Sequence, residues 1–272
     1  MDRATVVAVV AGVLQGVFEW LPISSEGNVA IFLTAVGAAP DAAVRFSLFL
    51  HVGTAFSAAV YYRTPLRAAL RGVPSWRPSA AFDDGTAELS FLGVATAASF
   101  AVGLVAYFVV DRFVSELGGG AFVVGVGVLL VATGAFQRLA DDRSLAVCRS
   151  PDLVDALLVG ALQGLAVLPG VSRSGTTAGA LLLRGHDGPD AFRLSFLLSV
   201  PAALGAGVVA VLDEGGVPGV ELGPALVALA TAAVVGYLTI DALMRVVERV
   251  DFWAVCVGIG ALAALGGALL FV

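Results

Sequence analysis

Long apolar stretches separated by short polar or glycine-rich breaks dominate this chain. About 20 consecutive apolar residues cross a bilayer as a single helix. Stretches of roughly that length lie within residues 90–110, 120–138, 192–212, 224–244 and 252–272. The pattern predicts an all-α integral membrane protein, a polytopic helical bundle that forms one membrane domain over residues 1–272.

The composition supports this prediction. Hydrophobic residues make up 59% of the chain, charged residues make up 13%, and the mean hydropathy is +0.97, far above the usual range of soluble domains. A net charge of −6 without any lysine argues against a nucleic-acid partner and fits an acidic, salt-adapted protein. Cys148 and Cys256 are isolated, and so are His51 and His186, so we expect neither zinc nor a disulfide framework. No basic leader precedes the first apolar run, so no removable signal peptide is expected.

The most polar interruption lies at residues 159–177, VGALQGLAVLPGVSRSGTT. A helix over 153–168 is expected to stop at Pro169 and Gly170. Proline disfavours helical geometry in the residue before it, and glycine adopts conformations that other residues avoid. The chain is therefore predicted to turn here.

A new helix is expected to start at Ser172 or Ser174 and to run to Leu183. Free backbone N–H groups, two hydroxyls and the Arg173 guanidinium would then gather at the helix start, and together they suit a phosphate. The alternative is an ordinary capped helix with its arginine in water. A membrane setting favours the functional interpretation, because an arginine at bilayer depth is costly.

An earlier polar break, QGVFEWLPISSEGN, occupies residues 15–28 between two short apolar runs at 5–14 and 29–36. Runs of this length are too short for full spans, so they predict a re-entrant or broken helix pair. A polar surface loop between ordinary helices, with Glu19 in water, is the alternative. Gln15 and Glu19 lie four residues apart and would share one helical face.

The two polar breaks belong to an internal repeat with a shift of 148 residues. The shift relates repeat one, at about 4–63, to repeat two, at about 152–212. It pairs residues 12, 14, 15, 16, 24, 27, 45, 47, 50, 52 and 55 with the same residue types at 160, 162, 163, 164, 172, 175, 193, 195, 198, 200 and 203. Each repeat is therefore expected to contain the same re-entrant pair.

The distribution of arginines predicts the orientation of the two repeats. Arginines cluster in the loops around 63–77, 138–149 and 245–249, whereas 213–221 carries acidic residues and no arginine. Under the positive-inside rule the first three loops are cytoplasmic and the last is external. The repeats would then have inverted topology, both termini would be external, and the two breaks would meet near the midplane.

These motifs resemble those of the undecaprenyl-diphosphate phosphatase family, the BacA type. QGVFEWLPISSEG resembles the family's (E/Q)xxxE segment, and PGVSRSGTT resembles its PGxSRSxxT segment. The residues at 50–63 and 191–207 resemble the helices that follow each motif, so the likeness covers most of the chain. It implies an inverted-repeat membrane enzyme that removes the terminal phosphate of a polyprenyl diphosphate lipid, undecaprenyl or dolichyl in type, and so recycles a carrier for cell-surface glycans. It further implies a divalent-metal requirement and an external-facing site in the cell membrane.

The resemblance assigns roles to residues in both motifs. The diphosphate would be bound by Ser172, Arg173, Ser174 and Thr177. Glu19 and Gln15, with Glu26 as a third candidate, would hold Mg²⁺ or Ca²⁺. Ser25, or Ser24 as second choice, would act as the nucleophile or position a water. The catalytic set is thus Glu19, Ser24, Ser25, Glu26 and Arg173.

One departure from the family leaves the acid–base group open. Asn28 stands where the family has a histidine, and Glu26 stands where it often has threonine. Asparagine does not exchange a proton near neutral pH. Glu26 is one replacement, and His51 is another, although a lone histidine on an apolar helix is often only a packing residue.

A second function class remains open. Broken helices that meet at the midplane also occur in transporters, so a transporter or lipid flippase without hydrolysis is the alternative. The connector at 64–88 is expected to be exposed and to carry a short surface helix. The glycine-rich helix at 123–134 is expected to pack either against a second copy, as a homodimer, or against a neighbouring helix.

Overall fold

The computed structural model describes residues 2–83, 85–143, 150–218, 220–247 and 249–270. In these ranges the chain forms eleven α-helices and two short 3₁₀ turns, without any strand. The helices are α1 Arg3–Phe18, α2 Ser25–Ala35, α3 Pro40–Tyr61, α4 Arg63–Gly72, α5 Ala87–Val114, α6 Gly119–Arg143, α7 Leu153–Leu165, α8 Arg173–Leu183, α9 Gly188–Glu214, α10 Leu222–Val247 and α11 Phe252–Leu269. The all-helical prediction is confirmed.

Six of these helices, α3, α5, α6, α9, α10 and α11, are long and apolar enough to cross a membrane. They include every span predicted from the apolar pattern, and they add α3, which the sequence pattern placed within repeat one. By contrast, α1 and α7 are apolar but shorter than a full span. The chain is therefore a polytopic membrane protein whose two polar breaks both follow a short helix.

The first polar break forms a tight turn between α1 and α2. The Ser24 backbone has φ 59°, a left-handed conformation that is uncommon outside glycine. Its hydroxyl accepts a hydrogen bond from Gly27 N at 3.2 Å and so caps α2. Gln15 Nε2 donates to Glu19 Oε2 at 2.9 Å, which confirms that these side chains share one face.

The second polar break forms the corresponding turn between α7 and α8. Helix α7 ends at Leu165, three residues before the predicted end at 168. The backbone N–H groups of residues 166–168 bond to carbonyls three residues earlier, so the chain forms a tighter turn there than an α-helix does. Gly170 has φ +106°, a conformation that glycine adopts without steric cost. Ser172 caps α8 by accepting from Gly175 N at 3.2 Å, as predicted.

The two short helices that precede the polar breaks, α1 and α7, each pack along a long helix from the other half of the chain. Helix α1 lies along α10, and α7 lies along α5. Close approach depends on glycine at both contacts: a Cβ at Gly12 would lie 2.5 Å from Ala228 O, and one at Gly160 would lie 2.5 Å from Ala95 O. The remaining large contacts join α3 to α9 and α6 to α11.

The glycine-rich helix α6 uses its small residues within the chain. A Cβ at Gly127 would lie 2.5 Å from Gly260 O, and one at Gly134 would lie 2.7 Å from Trp253 O, both on α11. Of the two predicted partners for this helix, the neighbouring helix is therefore the one observed. The contact gives no argument for a homodimer.

The two ends of the bundle differ in charge. At the end where α3 begins and α5 and α9 finish, Arg45 makes ion pairs with Asp41, with Asp111 at 2.8 Å and with Glu214 at 3.1 Å. We call this the acidic end. At the opposite end, where α3 finishes and α5 begins, α4 carries a row of arginines. We call this the basic end.

Candidate active site

The two polar breaks contact each other directly in the middle of the bundle. Gly170 N donates to Ser24 Oγ at 3.1 Å, and Ser174 Oγ donates to Leu21 O at 3.3 Å. Both breaks lie against α3 near His51, which is about halfway along that helix. The structure therefore brings the two motifs into contact beside the middle of α3.

Glu19 is the centre of the site. Its Oε1 accepts from Arg173 Nη2 at 2.8 Å, and its Oε2 accepts from Gln15 Nε2 and Ser25 Oγ, both at 2.9 Å. Only 5% of Glu19 is exposed. A buried carboxylate needs such partners, because an unpaired charge in this setting is costly. One break thus supplies the anion and the other supplies the cation that stabilises it.

His51 joins this network from α3. Its Nδ1 lies 2.8 Å from Ser47 O, and its Nε2 lies 3.3 Å from Glu19 Oε2. A carbonyl oxygen only accepts hydrogen bonds, so Nδ1 carries a proton. The structure therefore places His51, which the sequence left open, beside the Glu19 carboxylate.

Glu26 is buried and lines the same small polar cavity as Glu19. Its Oε1 has no hydrogen-bond partner in the protein. A buried oxygen without a partner is rare in folded proteins and indicates an unmet ligand or a proton on the carboxyl group. Glu26 is thus the one acidic group of the motif that is left open toward a substrate.

Arg173 lies at the first position of α8, and other contacts fix its direction. Its Nη1 donates to Ser195 O at 3.2 Å, and its guanidinium lies 5.7 Å from the centre of the Phe196 ring. These contacts on α9 leave part of the guanidinium facing the cavities. Arginine held in this way presents a preformed fork to phosphate oxygens.

Two adjoining cavities share Glu26, His51 and Arg173 in their walls. The smaller, of about 20 Å³, is polar and is lined by side chains of both breaks, including Ser25, Ser172 and Ser174. The larger, of about 260 Å³, is mainly apolar. It extends between α3, α5, α7 and α9 toward Tyr107 at the acidic end. A polar chamber therefore opens into an apolar one.

Several predicted site residues are held away from the cavities. Thr177 Oγ1 contacts Arg173 O at 2.8 Å and Ser195 Oγ at 2.6 Å and lines neither cavity. Asn28 Nδ2 donates to Ile23 O at 2.8 Å and to Ser24 O at 2.9 Å, so it braces the turn. Both side chains bond back to main-chain carbonyls one turn earlier, because helical side chains lean toward the helix start, and so they brace the turns instead of lining the cavities.

The sequence reasoning missed two glutamines near the site. Gln163, which the 148-residue shift pairs with Gln15, donates to Ser99 Oγ at 3.2 Å and keeps an unpartnered Oε1 in the wall of the larger cavity. Gln137 on α6 donates to Pro22 O at 2.6 Å. The repeat contained a signal for Gln163, but no motif marked Gln137.

Comparison with known proteins identifies the family of this chain. A family model described as bacitracin resistance protein BacA matches residues 8–264. The chain belongs to the BacA family. An undecaprenyl-diphosphatase of Haloarcula marismortui is 56% identical over 266 residues, which cover 97% of each chain. Proteins of the same name from Methanococcoides burtonii and Geobacter sulfurreducens are 41% and 36% identical and align with 95% and 90% of this chain, and with 96% and 91% of their own.

The resemblance to the BacA family implies a divalent cation. The hydrogen bonds of the site show which oxygen atoms are free to bind one. Among the described residues, no three His, Cys, Asp or Glu side chains are grouped to hold a metal alone. Glu19 has both oxygens engaged, whereas Gln15 Oε1 and Glu26 Oε1 are buried without partners. Mg²⁺ commonly takes one or two protein oxygens together with substrate phosphates. Glu26 lines the polar cavity and Gln15 lines neither cavity, so Glu26 is the residue that fits a cation arriving with a diphosphate.

Proposed function

We propose that this BacA family member hydrolyses a polyprenyl diphosphate to the lipid monophosphate and inorganic phosphate. The observation that carries the proposal is the Glu19 carboxylate, which is hydrogen-bonded by Ser25 and placed between Arg173 and His51. This group adjoins an apolar cavity of about 260 Å³. Relatives that align with nearly the whole chain carry the name undecaprenyl-diphosphatase. The reaction would recycle a lipid carrier for cell-surface glycans.

The two cavities fit the two parts of such a substrate. The diphosphate would occupy the polar cavity, where Arg173 and the N-terminus of α8 at Ser172 to Ser174 offer cationic and N–H donors. The first isoprene units would lie against Phe100, Leu104 and their neighbours in the apolar cavity. Thr177 would support Arg173 through its backbone rather than bind phosphate.

The hydrogen-bond network suggests how protons move. Ser25 Oγ donates to Glu19, so Glu19 would take the proton from Ser25, or from a water that Ser25 positions. The attacking oxygen bonds to the terminal phosphorus while the bond from phosphorus to the bridging oxygen breaks. The lipid monophosphate leaves with that oxygen, and one water is consumed overall. His51 would supply and retrieve protons in place of the histidine that Asn28 replaces.

A divalent cation, Mg²⁺ or Ca²⁺, would be held by Glu26, which lines the polar cavity, together with the phosphate oxygens, and Gln15 Oε1 is a further candidate ligand behind it. When bound, it would neutralise phosphate charge and polarise the phosphorus–oxygen bond. Glu19 would stay in its hydrogen-bonded network beside this cation. The two unpartnered oxygen atoms of Gln15 and Glu26 support this assignment.

We further propose that the helices form two inverted repeats with re-entrant pairs α1–α2 and α7–α8, as in several transporters. The reciprocal packing of α1 on α10 and α7 on α5 supports this arrangement. The extension of the apolar cavity toward the acidic end supports a site that faces the external side of the plasma membrane, because arginine-rich loops tend to stay inside.

The test is phosphate release by the purified full-length protein in detergent, from farnesyl or undecaprenyl diphosphate, with and without Mg²⁺ or Ca²⁺. We expect metal-dependent release of one phosphate per lipid. If the protein moves lipid across vesicle membranes but releases no phosphate, the flippase alternative is favoured instead. A cooperative thermal unfolding transition shows that the protein tested is folded.

A further inference from the structure

Helix α4 presents a regular row of positive charge at the basic end. It starts at Arg63, one residue after the C-cap of α3, so it lies where a membrane-crossing helix reaches the bilayer surface. Arg63, Arg67 and Arg71 are spaced by four and lie side by side on one face. We call these three residues the α4 arginine row. Residues 63–77 contain a fourth arginine, Arg77, and no acidic residue.

An apolar strip adjoins this row on the same short helix. Leu66, Ala69 and Leu70 follow the i, i+3, i+4 pattern beside the arginines, and Val73 continues it. No residue of α4 is fully buried, and Leu70 and Val73 are 68% and 52% exposed. Leu66, at the start of the apolar strip, packs in part against the helix bundle. The arginines and the end of the apolar strip, at Leu70 and Val73, are exposed.

The α4 arginine row lacks acidic partners. Within the described residues Arg67 and Arg71 make no ion pair, and the side chain of Arg63 donates only to Val60 O, at 3.2 Å. Arg45, Arg193 and Arg245 pair with carboxylates. Arg3 at the acidic end resembles the α4 arginine row in having no ion pair within the described residues, and its side chain donates to Val36 O. In a chain with a net charge of −6, an unpaired basic row indicates an anion from outside the chain.

Trp76 marks the level of the bilayer surface next to α4. Its Nε1 donates to Ser90 Oγ at 2.8 Å, near the start of α5, and 39% of the residue is exposed. Tryptophan concentrates at the headgroup level, where one end of the ring is apolar and the N–H meets polar groups. The arginine row, the apolar strip and Trp76 thus all lie at the same end of the α3 and α5 spans.

We propose that α4 lies in the headgroup layer of the bilayer and that the α4 arginine row binds the phosphates of anionic phospholipids. The apolar strip inserts between acyl chains, as in other interfacial amphipathic helices. Charge decides the occupant: a zwitterionic lipid has no net charge to attract the row. Each arginine near an anionic surface strengthens such binding roughly fivefold. This surface is separate from the proposed site of hydrolysis.

Native mass spectrometry of the full-length protein, from micelles with equal phosphatidylglycerol and phosphatidylcholine, tests the proposal. We expect the wild type to retain phosphatidylglycerol preferentially. Arg67→Gln/Arg71→Gln should reduce that preference about 25-fold, from two arginines at roughly fivefold each. Arg67→Lys/Arg71→Lys keeps the charge and should preserve most of it.

The matched control is Arg3→Gln/Arg112→Gln, which removes the same two charges from the acidic end and should leave the preference intact. The proposal is overturned if the wild type shows no preference, if the control loses as much as the α4 variant, or if the lysine variant loses as much as the glutamine variant. Phosphate release in non-ionic detergent should be equal in all four proteins, so the outcome does not depend on the proposed function.

Discussion

The two polar breaks start their second helices with the same kind of serine cap but carry opposite charge. In each, a serine caps the second helix and accepts from the amide of a glycine three residues on, at 3.2 Å in both cases: Ser24 from Gly27 and Ser172 from Gly175. The first break then presents carboxylates at Glu19 and Glu26, whereas the second presents the guanidinium of Arg173.

This difference distinguishes the residues that hold the turns and helix contacts from the charged residues that meet in the polar cavity. Residues that the repeat keeps, such as the capping serines and the close-packed glycines, hold turns and helix contacts. Residues that differ between the repeats, Glu19, Glu26 and Arg173, meet in the small polar cavity. The polar site therefore lies where the two breaks differ in charge, because two identical acidic or basic ends would repel each other at this distance.

The largest effect should come from removing either side of the Glu19–Arg173 pair. We expect Arg173→Gln and Glu19→Gln each to lower kcat at least about 10²- to 10³-fold, since each removes charge stabilisation or the proton acceptor. Each also leaves a buried charge unpaired, which typically costs about 3–5 kcal/mol. The double variant should be as inactive as the worse single variant and more stable than either. Phosphate release and thermal unfolding measure both effects.

Arg193→Gln is the matched control for this experiment. Arg193 also belongs to repeat two, but it pairs with Glu88 at 2.8 Å at the basic end, away from the cavities. Its variant should keep kcat within about twofold, because a partly exposed ion pair contributes little. Retention of near-normal turnover by Arg173→Gln would contradict the assignment of the diphosphate site.

We expect a smaller effect from a substitution of Glu26, and this effect should distinguish its role from that of Glu19, the other acidic group of the first break. Glu26→Gln keeps the shape but removes the charge that would hold a cation, so we expect roughly tenfold weaker Mn²⁺ binding in the presence of a non-hydrolysable diphosphate. Electron paramagnetic resonance of free Mn²⁺ measures this without turnover. Gln163→Leu, which removes the unpartnered oxygen outside the first break, should leave Mn²⁺ affinity unchanged. Equal losses in both variants would rule out a specific role for Glu26.

Sequence patterns predicted the site through its local features. Apolar run lengths identified the segments around the first break as too short to span, and the repeat extended this prediction to the second break. The repeat also predicted that the two breaks would meet, and Glu19 and Arg173 are in contact. These signals are short-range or periodic, so a single sequence contains them. The end of α7 was misplaced by three residues, because turns before a proline are set by local hydrogen bonds that composition does not reveal.

Contacts between distant helices could not be predicted in this way. Gln137 Nε2 and Cys256 Sγ both donate to Pro22 O, at 2.6 and 3.0 Å, and thereby fix the first turn from α6 and α11. Likewise, no local feature of the sequence showed whether His51 is a packing residue or lies beside Glu19. In the structure its Nε2 is 3.3 Å from Glu19 Oε2. Such positions depend on how whole helices cross, which no motif specifies.

The smallest effect should test whether the scaffold of the two repeats is equivalent. Gly12→Ala and Gly160→Ala each place a Cβ 2.5 Å from a backbone oxygen of the partner helix, α10 or α5. Helices that must separate to fit a methyl group lose packing, so we expect each variant to lower the free energy of unfolding by about 1–3 kcal/mol and to similar extents. Gly93→Ala on α5, where a Cβ meets nothing within 4 Å, should be neutral or slightly stabilising, because alanine favours helices. Thermal unfolding in detergent measures all three. A large loss at one contact with none at the other would mean that the two short helices are not equivalent parts of the scaffold.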